Sequence, residues 1–290
     1  MILHLLAHYQ YPLGTKFFPH GGVTVKTSNP VLAGLGQAAE RERAAGQPGY
    51  AQPYPAGAGA YPAAPPAVRP MSIDDVVIKT VALLALVGVS ATVAWNAIPD
   101  SMVFPALIVS LIGGLGLGLV ISFMRMAHPA LIITYAVIEG VFVGLISEFY
   151  ENIAGYRGIV LQAVVATFGV FFLMAMLYKA KVIRATPRFI KFMVAALAGV
   201  FAVIMINLLL SLFGFNTGLR DNGALGIGFS LVCIVIASLS FVLSFHEVEE
   251  GVRMGLPERY SWVAAFGILV SLIWLYLEVL RLLSFLQGDD

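Results

Sequence analysis

Seven apolar runs, each about 20 residues long, succeed one another along most of this chain. They cover approximately residues 76–98, 102–124, 129–149, 158–178, 190–213, 224–245 and 263–286. As a helix, a run of that length spans roughly 30 Å, the hydrocarbon thickness of a bilayer. Each run far exceeds the roughly 9–11 residues of a membrane-barrel strand. Charged residues are only 11% of the chain, against about 25% in soluble domains. Hydrophobic residues make up 59%, and the mean hydropathy is +0.89. So few polar groups could not cover a water-soluble surface. The expected fold class is all-α, a polytopic membrane protein with seven transmembrane helices.

The region before these runs is different. Residues 1–71 are expected to form a disordered cytoplasmic tail rich in Pro, Gly and Tyr, as in AAGQPGYAQPYPAGAGAYPAAPPAVRP. The opening MILHLLAHYQYPLGTKFF lacks the basic start and unbroken apolar core of a signal peptide. Residues 1–24 also read as an extension ahead of a natural start near Val25. Residues 72–290 are expected to form the membrane domain, opened by a capping box from Ser72 to Asp75.

Orientation follows from Lys and Arg. Arg69, Arg125, Lys179, Lys181, Arg184, Arg188, Arg253 and Arg259 fall on one side, and only Arg157 and Arg220 on the other. The expected location is the cell (plasma) membrane, with a cytoplasmic N-terminus and the C-terminus on the opposite side. The formal net charge of +1 gives no reason to expect a nucleic-acid partner. Cys233 is the single cysteine, so no intrachain disulfide is possible.

Ionisable residues inside the runs carry the functional information, because lipid makes them costly. Glu139, in IITYAVIEGVFVGL, is the most central. A central Asp costs roughly 2.5–3.5 kcal/mol on insertion scales. Glu139 is read either as a proton or cation site or as a hydrogen-bonded structural group. The following GVFVG has a small-xxx-small spacing that admits a neighbouring helix. Glu278 and Arg281 lie three apart on one helix face. They form either an internal ion pair or a titrating site with partners from elsewhere. Ser244, His246, Glu247, Glu249 and Glu250 gather at the end of the sixth run, either as a solvated helix end or as a pH-sensitive rim. Arg125 closes the second run, where it reaches for the interface or pairs with a carboxylate. Lys79 is expected to reach for the interface too. Asn207 is expected to hydrogen-bond between helices. GGLGLG at 113–118 permits close packing or a flexible helix, and no strand–turn–helix frames it as a dinucleotide site.

No nucleophile elbow and no metal-ligand spacing such as HExxH is present. An enzyme is therefore not expected, nor any metal or other cofactor. A retinal protein would need a lysine in the seventh run, which has none.

The seven-run count, the IEG in run three, the MIN in run five and the ending LYLEVLRLLSFL resemble the Bax inhibitor family over about residues 25–290. This family comprises the transmembrane Bax-inhibitor-motif proteins and their bacterial relatives. KTSNPV and the Pro/Tyr-rich tail resemble its actinobacterial branch. The resemblance implies six helices around a central seventh, and a cation leak, notably of Ca²⁺, controlled by pH. It implies a switch in which carboxylates on spans six and seven share a proton when closed and repel when it is lost. An arginine ending span two pairs with them in the closed state.

The carry-over is partial. Glu278 falls on the span-seven acid and Arg125 on the span-two arginine. The span-six acid falls near Ser244, with His246 two residues on, so neither supplies a carboxylate. An acid that relatives place in span two falls at Gly114, and Glu139 is a substitute from another helix. A Glu278–His246 or Glu278–Arg125 contact would make a different switch. The expected function is a pH-sensitive Ca²⁺ or H⁺ leak channel. The alternative is a non-transporting stress or protease regulator, whose tail docks a membrane-protein partner. Membrane lipids are partners in either case. An odd span count without an evident half-to-half repeat weighs against a secondary transporter.

Overall fold

The computed structural model describes residues 69–124, 128–214 and 223–288. Its helices are α1 Ile73–Ala97, α2 Val103–Met124, α3 Pro129–Glu148, α4 Ile159–Lys179, α5 Pro187–Leu212, α6 Ala224–Arg253 and α7 Tyr260–Gln287. A 3₁₀ turn at Asp100–Met102 leads into α2, and a π-helical turn at Phe149–Ile153 prolongs α3. All seven helices are long and apolar enough to cross a membrane. The chain is a multi-pass membrane protein, as the seven apolar runs require. In lipid, only a helix satisfies every backbone N–H and C=O within one segment.

The helices match the expected runs with one informative difference. α6 continues to Arg253 rather than ending near 245. HEVEEGVR is polar enough to leave the membrane, yet Glu, Val and Arg at that spacing still propagate a helix. Polarity in this stretch does not mark the end of the helix.

The ends are set by local chemistry. The Ser72 hydroxyl accepts from the Asp75 N–H at 3.1 Å, and the Ser72 N–H donates to Asp75 Oδ2 at 3.0 Å. This is the expected capping box, worth about 1 kcal/mol. Pro129 and Pro187 occupy first helical positions, where the missing N–H costs nothing. Glu151 caps α4 from a distance. Its two oxygens accept from the N–H groups of Gly158 at 2.5 Å and Val160 at 3.1 Å.

α7 is the most buried of the seven, with 56% of its most apolar stretch enclosed. It packs against α1, α3, α4 and α6, whereas α2 packs chiefly on α3 and α5 on α6. The closest seam joins α3 to α1. A Cβ on Gly140 would sit 2.7 Å from the Val87 carbonyl oxygen, and one on Gly144 2.4 Å from that of Ala91. The GVFVG spacing therefore does admit a helix, and that helix is α1.

At the face where α1 begins, the chain is clipped to the α6–α7 turn. Met71 N–H donates to Leu256 O at 2.7 Å, and Glu258 N–H to Arg69 O at 2.9 Å. Lys79 pairs with Glu258 of the same turn at 3.2 Å. Residues 1–68 of the expected tail lie outside the described residues, as does Arg125.

Candidate functional site

Glu139 projects from the middle of α3 onto the bare backbone of α2. A Cβ on Gly114 would lie 3.2 Å from Glu139 Cδ and from Oε2. One turn along, a Cβ on Gly118 would lie 3.3 Å from the Tyr135 ring. Gly114 and Gly118, four apart, thus form one groove on α2, and Tyr135 and Glu139, also four apart, lie in it. The GGLGLG run serves close packing. Tyr135 donates its hydroxyl to Glu139 Oε1 at 2.8 Å. The Tyr135 ring is itself fixed edge-on against Phe266 of α7, centroids 4.9 Å apart.

Beside this groove lies a cavity of about 420 Å³ between α2, α3, α5, α6 and α7. Its polar walls are Tyr135 and Glu139 of α3, Ser240, Ser244 and Glu247 of α6, Ser271 of α7 and Ser122 of α2. Glu139 is half-buried, and Glu247 is exposed, so the cavity opens at the level of Glu247. The Ser240 and Ser271 hydroxyls stand 3.3 Å apart and tie α6 to α7 along one wall. No Lys, Arg or His is among the described residues that line it. Two carboxylates, a phenol and several hydroxyls can coordinate a cation through oxygen or hold and exchange a proton.

Glu278 and Arg281 are elsewhere. Glu278 is only 5% exposed on α7 and is paired with the Arg281 guanidinium. Arg281 Nε also donates to the Ser230 hydroxyl of α6 at 3.0 Å, and the guanidinium lies over the Phe229 ring. The internal ion pair that the i, i+3 spacing allowed is formed. Ser230 lies in the first third of α6 and Glu247 in its last third, so the pair and the Glu247 end of the cavity lie toward opposite ends of that helix.

His246 faces neither. It lines a separate recess of about 420 Å³ with Tyr178, Lys179, Lys181, Arg184 and Glu249. Ser244 lines the Glu139 cavity, and Asn207 is half-buried on α5. Of the sequence-derived candidates, the fold therefore gathers Glu139 and Ser244, pairs Glu278 with Arg281, and sends His246 to its own recess. Glu247 belongs to the group that the sequence offers either as a solvated helix end or as a pH-sensitive rim, and its place in the cavity with Glu139 is not evident from that group alone. The signal was present: Ser240, Ser244 and Glu247 recur at four and three residues, one polar stripe on α6.

A second cavity, of about 460 Å³, lies against the other side of α7. α1, α3 and α4 complete it, and Thr92, Asn96, Ser147, Thr167 and Tyr276 supply its polar atoms. Ser147 and Tyr276 hydroxyls are 2.6 Å apart. No charged residue lines it among the described residues. Leu272 and Ile273 of α7 line this cavity, and Val270, Ser271 and Trp274 of α7 line the Glu139 cavity, so α7 is the partition between the two.

A search of curated proteins finds no match to the chain. The family model described as Bax inhibitor 1 like matches residues 29–288. That span includes every helix, the central α7 and both cavities, and it agrees with the family that the motifs of runs three, five and seven resemble. The chain belongs to the Bax inhibitor family.

Proposed function

We propose that the protein is a pH-sensitive cation leak channel of the cell membrane, with its N-terminus cytoplasmic and Ca²⁺ the favoured ion. The observation that carries this reading is the meeting of Glu139 and Glu247, from α3 and α6, in one cavity against α7. Both helices bring a carboxylate to a place where no described wall residue neutralises it. Protonated, the two carboxyls are neutral hydrogen-bonding groups and offer a cation no counter-charge. Deprotonated, they line the cavity with negative charge and attract a cation. The leak therefore rises as pH rises through the titration of the carboxylate pair. Tyr135, Glu139 and Glu247 are the ionisable groups among the described walls. The α7 partition between the two cavities is the barrier of the closed form, and Glu278–Arg281 is a structural pair that secures α7 to α6.

Purified protein in liposomes should pass Ca²⁺ above the rate of protein-free liposomes, faster at pH 8 than at pH 5. Equal rates with and without protein at every pH would refute a leak.

A second reading has its own observation. Residues 69–71 are hydrogen-bonded to the α6–α7 turn, so a partner docked on the tail could bias the end of α6 that carries Glu247. In that reading the protein is a membrane regulator acting by protein contact. Deleting residues 1–68 would then abolish its cellular phenotype while liposome flux stays intact.

A further inference from the structure

The recess that holds His246 lies where α4 ends and α5 begins. α4 stops at Lys179, and Lys181 adopts a left-handed backbone, φ 59°. The Lys181 N–H donates to Tyr178 O at 2.9 Å and the Val182 N–H to Leu177 O at 3.0 Å. This tight reversal wraps Lys181 and Arg184 back around the Tyr178 ring, facing His246 and Glu249 of α6. Three fixed cations thus surround a recess of about 420 Å³. Its one carboxylate, Glu249, accepts the Tyr178 hydroxyl at 2.6 Å. No ion pair among the described residues engages Lys179, Lys181 or Arg184.

The surroundings decide what kind of anion fits. Met176, one turn before the reversal, is 69% exposed, and Val182, within it, is 68% exposed. Large apolar side chains left bare beside a cationic recess mark the boundary between hydrocarbon and water. A soluble anion would use the cations alone. An amphiphile uses both surfaces.

We propose that this recess binds the phosphate of an anionic phospholipid headgroup, with the acyl chains against the apolar surface that Met176 and Val182 expose. Lys179, Lys181 and Arg184 hold the phosphate oxygens, and His246 adds a ring N–H. Positive residues near a membrane surface commonly serve only to orient the chain. Here the reversal at Lys181 gathers them around a bounded space, which orientation alone does not require. The site does not depend on the leak reading.

The test uses the full-length protein in detergent, titrated with fluorescent phosphatidylglycerol and, separately, phosphatidylcholine. Phosphatidylglycerol should bind at least tenfold more tightly. Lys181→Gln/Arg184→Gln should abolish that preference with an unchanged melting temperature, and Lys181→Arg/Arg184→Lys should keep it. Arg188→Gln/Lys191→Gln removes the same charge from the next helix and should leave the preference intact. Equal losses in both charge-removing variants would overturn the proposal in favour of general surface attraction. Competition by millimolar inorganic phosphate that matches competition by short-chain phosphatidylglycerol would overturn the lipid in favour of a soluble phosphate compound.

Discussion

The carboxylate of Glu139 rests against the Cα of Gly114, close enough that a Cβ there would lie 3.2 Å from its carbon. The family resemblance implies an acid at the Gly114 position, and an acid from α3 occupies the space beside it. In the proposed channel a carboxylate from either helix serves that space. One placed at Gly114 should therefore restore what loss of Glu139 removes. Glu139→Ala should lower liposome flux at least tenfold, and Glu139→Ala/Gly114→Glu should recover a large part of it. A double variant no better than Glu139→Ala would separate the two positions functionally.

The α1–α3 seam tolerates no side chain at its glycines. A Cβ on Gly144 would approach the Ala91 carbonyl oxygen to 2.4 Å and its Cα to 2.7 Å. Backbone atoms cannot yield as a flexible side chain does, so α1 must move. Gly144→Ala should cost about 1–3 kcal/mol, seen as a lower melting temperature in detergent. Gly169→Ala is the control. Nothing lies within 4 Å of its Cβ position, and its melting temperature should not fall.

Much of this was legible in the sequence because lipid leaves a chain few options. Hydropathy alone located the seven helices, and Ser72 with Asp75 located the first cap. The small-residue spacing at Gly140 and Gly144 announced a close helix but could not say which, since that depends on how α1 returns to the bundle. Glu278 and Arg281, three apart, allowed an internal pair, but the spacing left a titrating site with partners from elsewhere equally open. Glu247 was harder to place. It sits in a run of polar residues at a helix end, and such a run looks the same whether its members face water or a cavity. Only the packing of α6 on α7 through Ser240 and Ser271 turned one face of that run inward. His246, one residue before Glu247, is about 100° away around the helix and so reaches a different recess.

The Glu278–Arg281 pair should behave as structure. Removing one partner weakens the compensation of a buried charge, at a cost of up to about 3–5 kcal/mol. Arg281→Met should lower the melting temperature and folded yield sharply. Glu278→Gln/Arg281→Met should recover most of both, with flux at the wild-type level per folded protein. A well-folded double variant without flux would return Glu278 to the site.

The clip at residues 69–71 gives the tail a defined end. A chain lacking residues 1–68 keeps the Met71–Leu256 and Arg69–Glu258 hydrogen bonds. Its melting temperature should match the full-length protein. A chain lacking residues 1–72 loses both bonds and the Ser72 cap. It should melt at a lower temperature, by about 1–3 kcal/mol of lost stability. Equal melting of the two truncated chains would show that the clip contributes nothing.

In the proposed channel, Glu139 and Glu247 act together as the pH-sensitive element. This role is tested most directly by Ca²⁺ flux into liposomes between pH 5 and pH 8, comparing the wild type with Glu139→Gln, Glu247→Gln and the double variant. Flux should rise with pH in the wild type, fall in each single variant, and be low and independent of pH in the double variant. A double variant that folds normally and keeps the wild-type flux and pH response would contradict it.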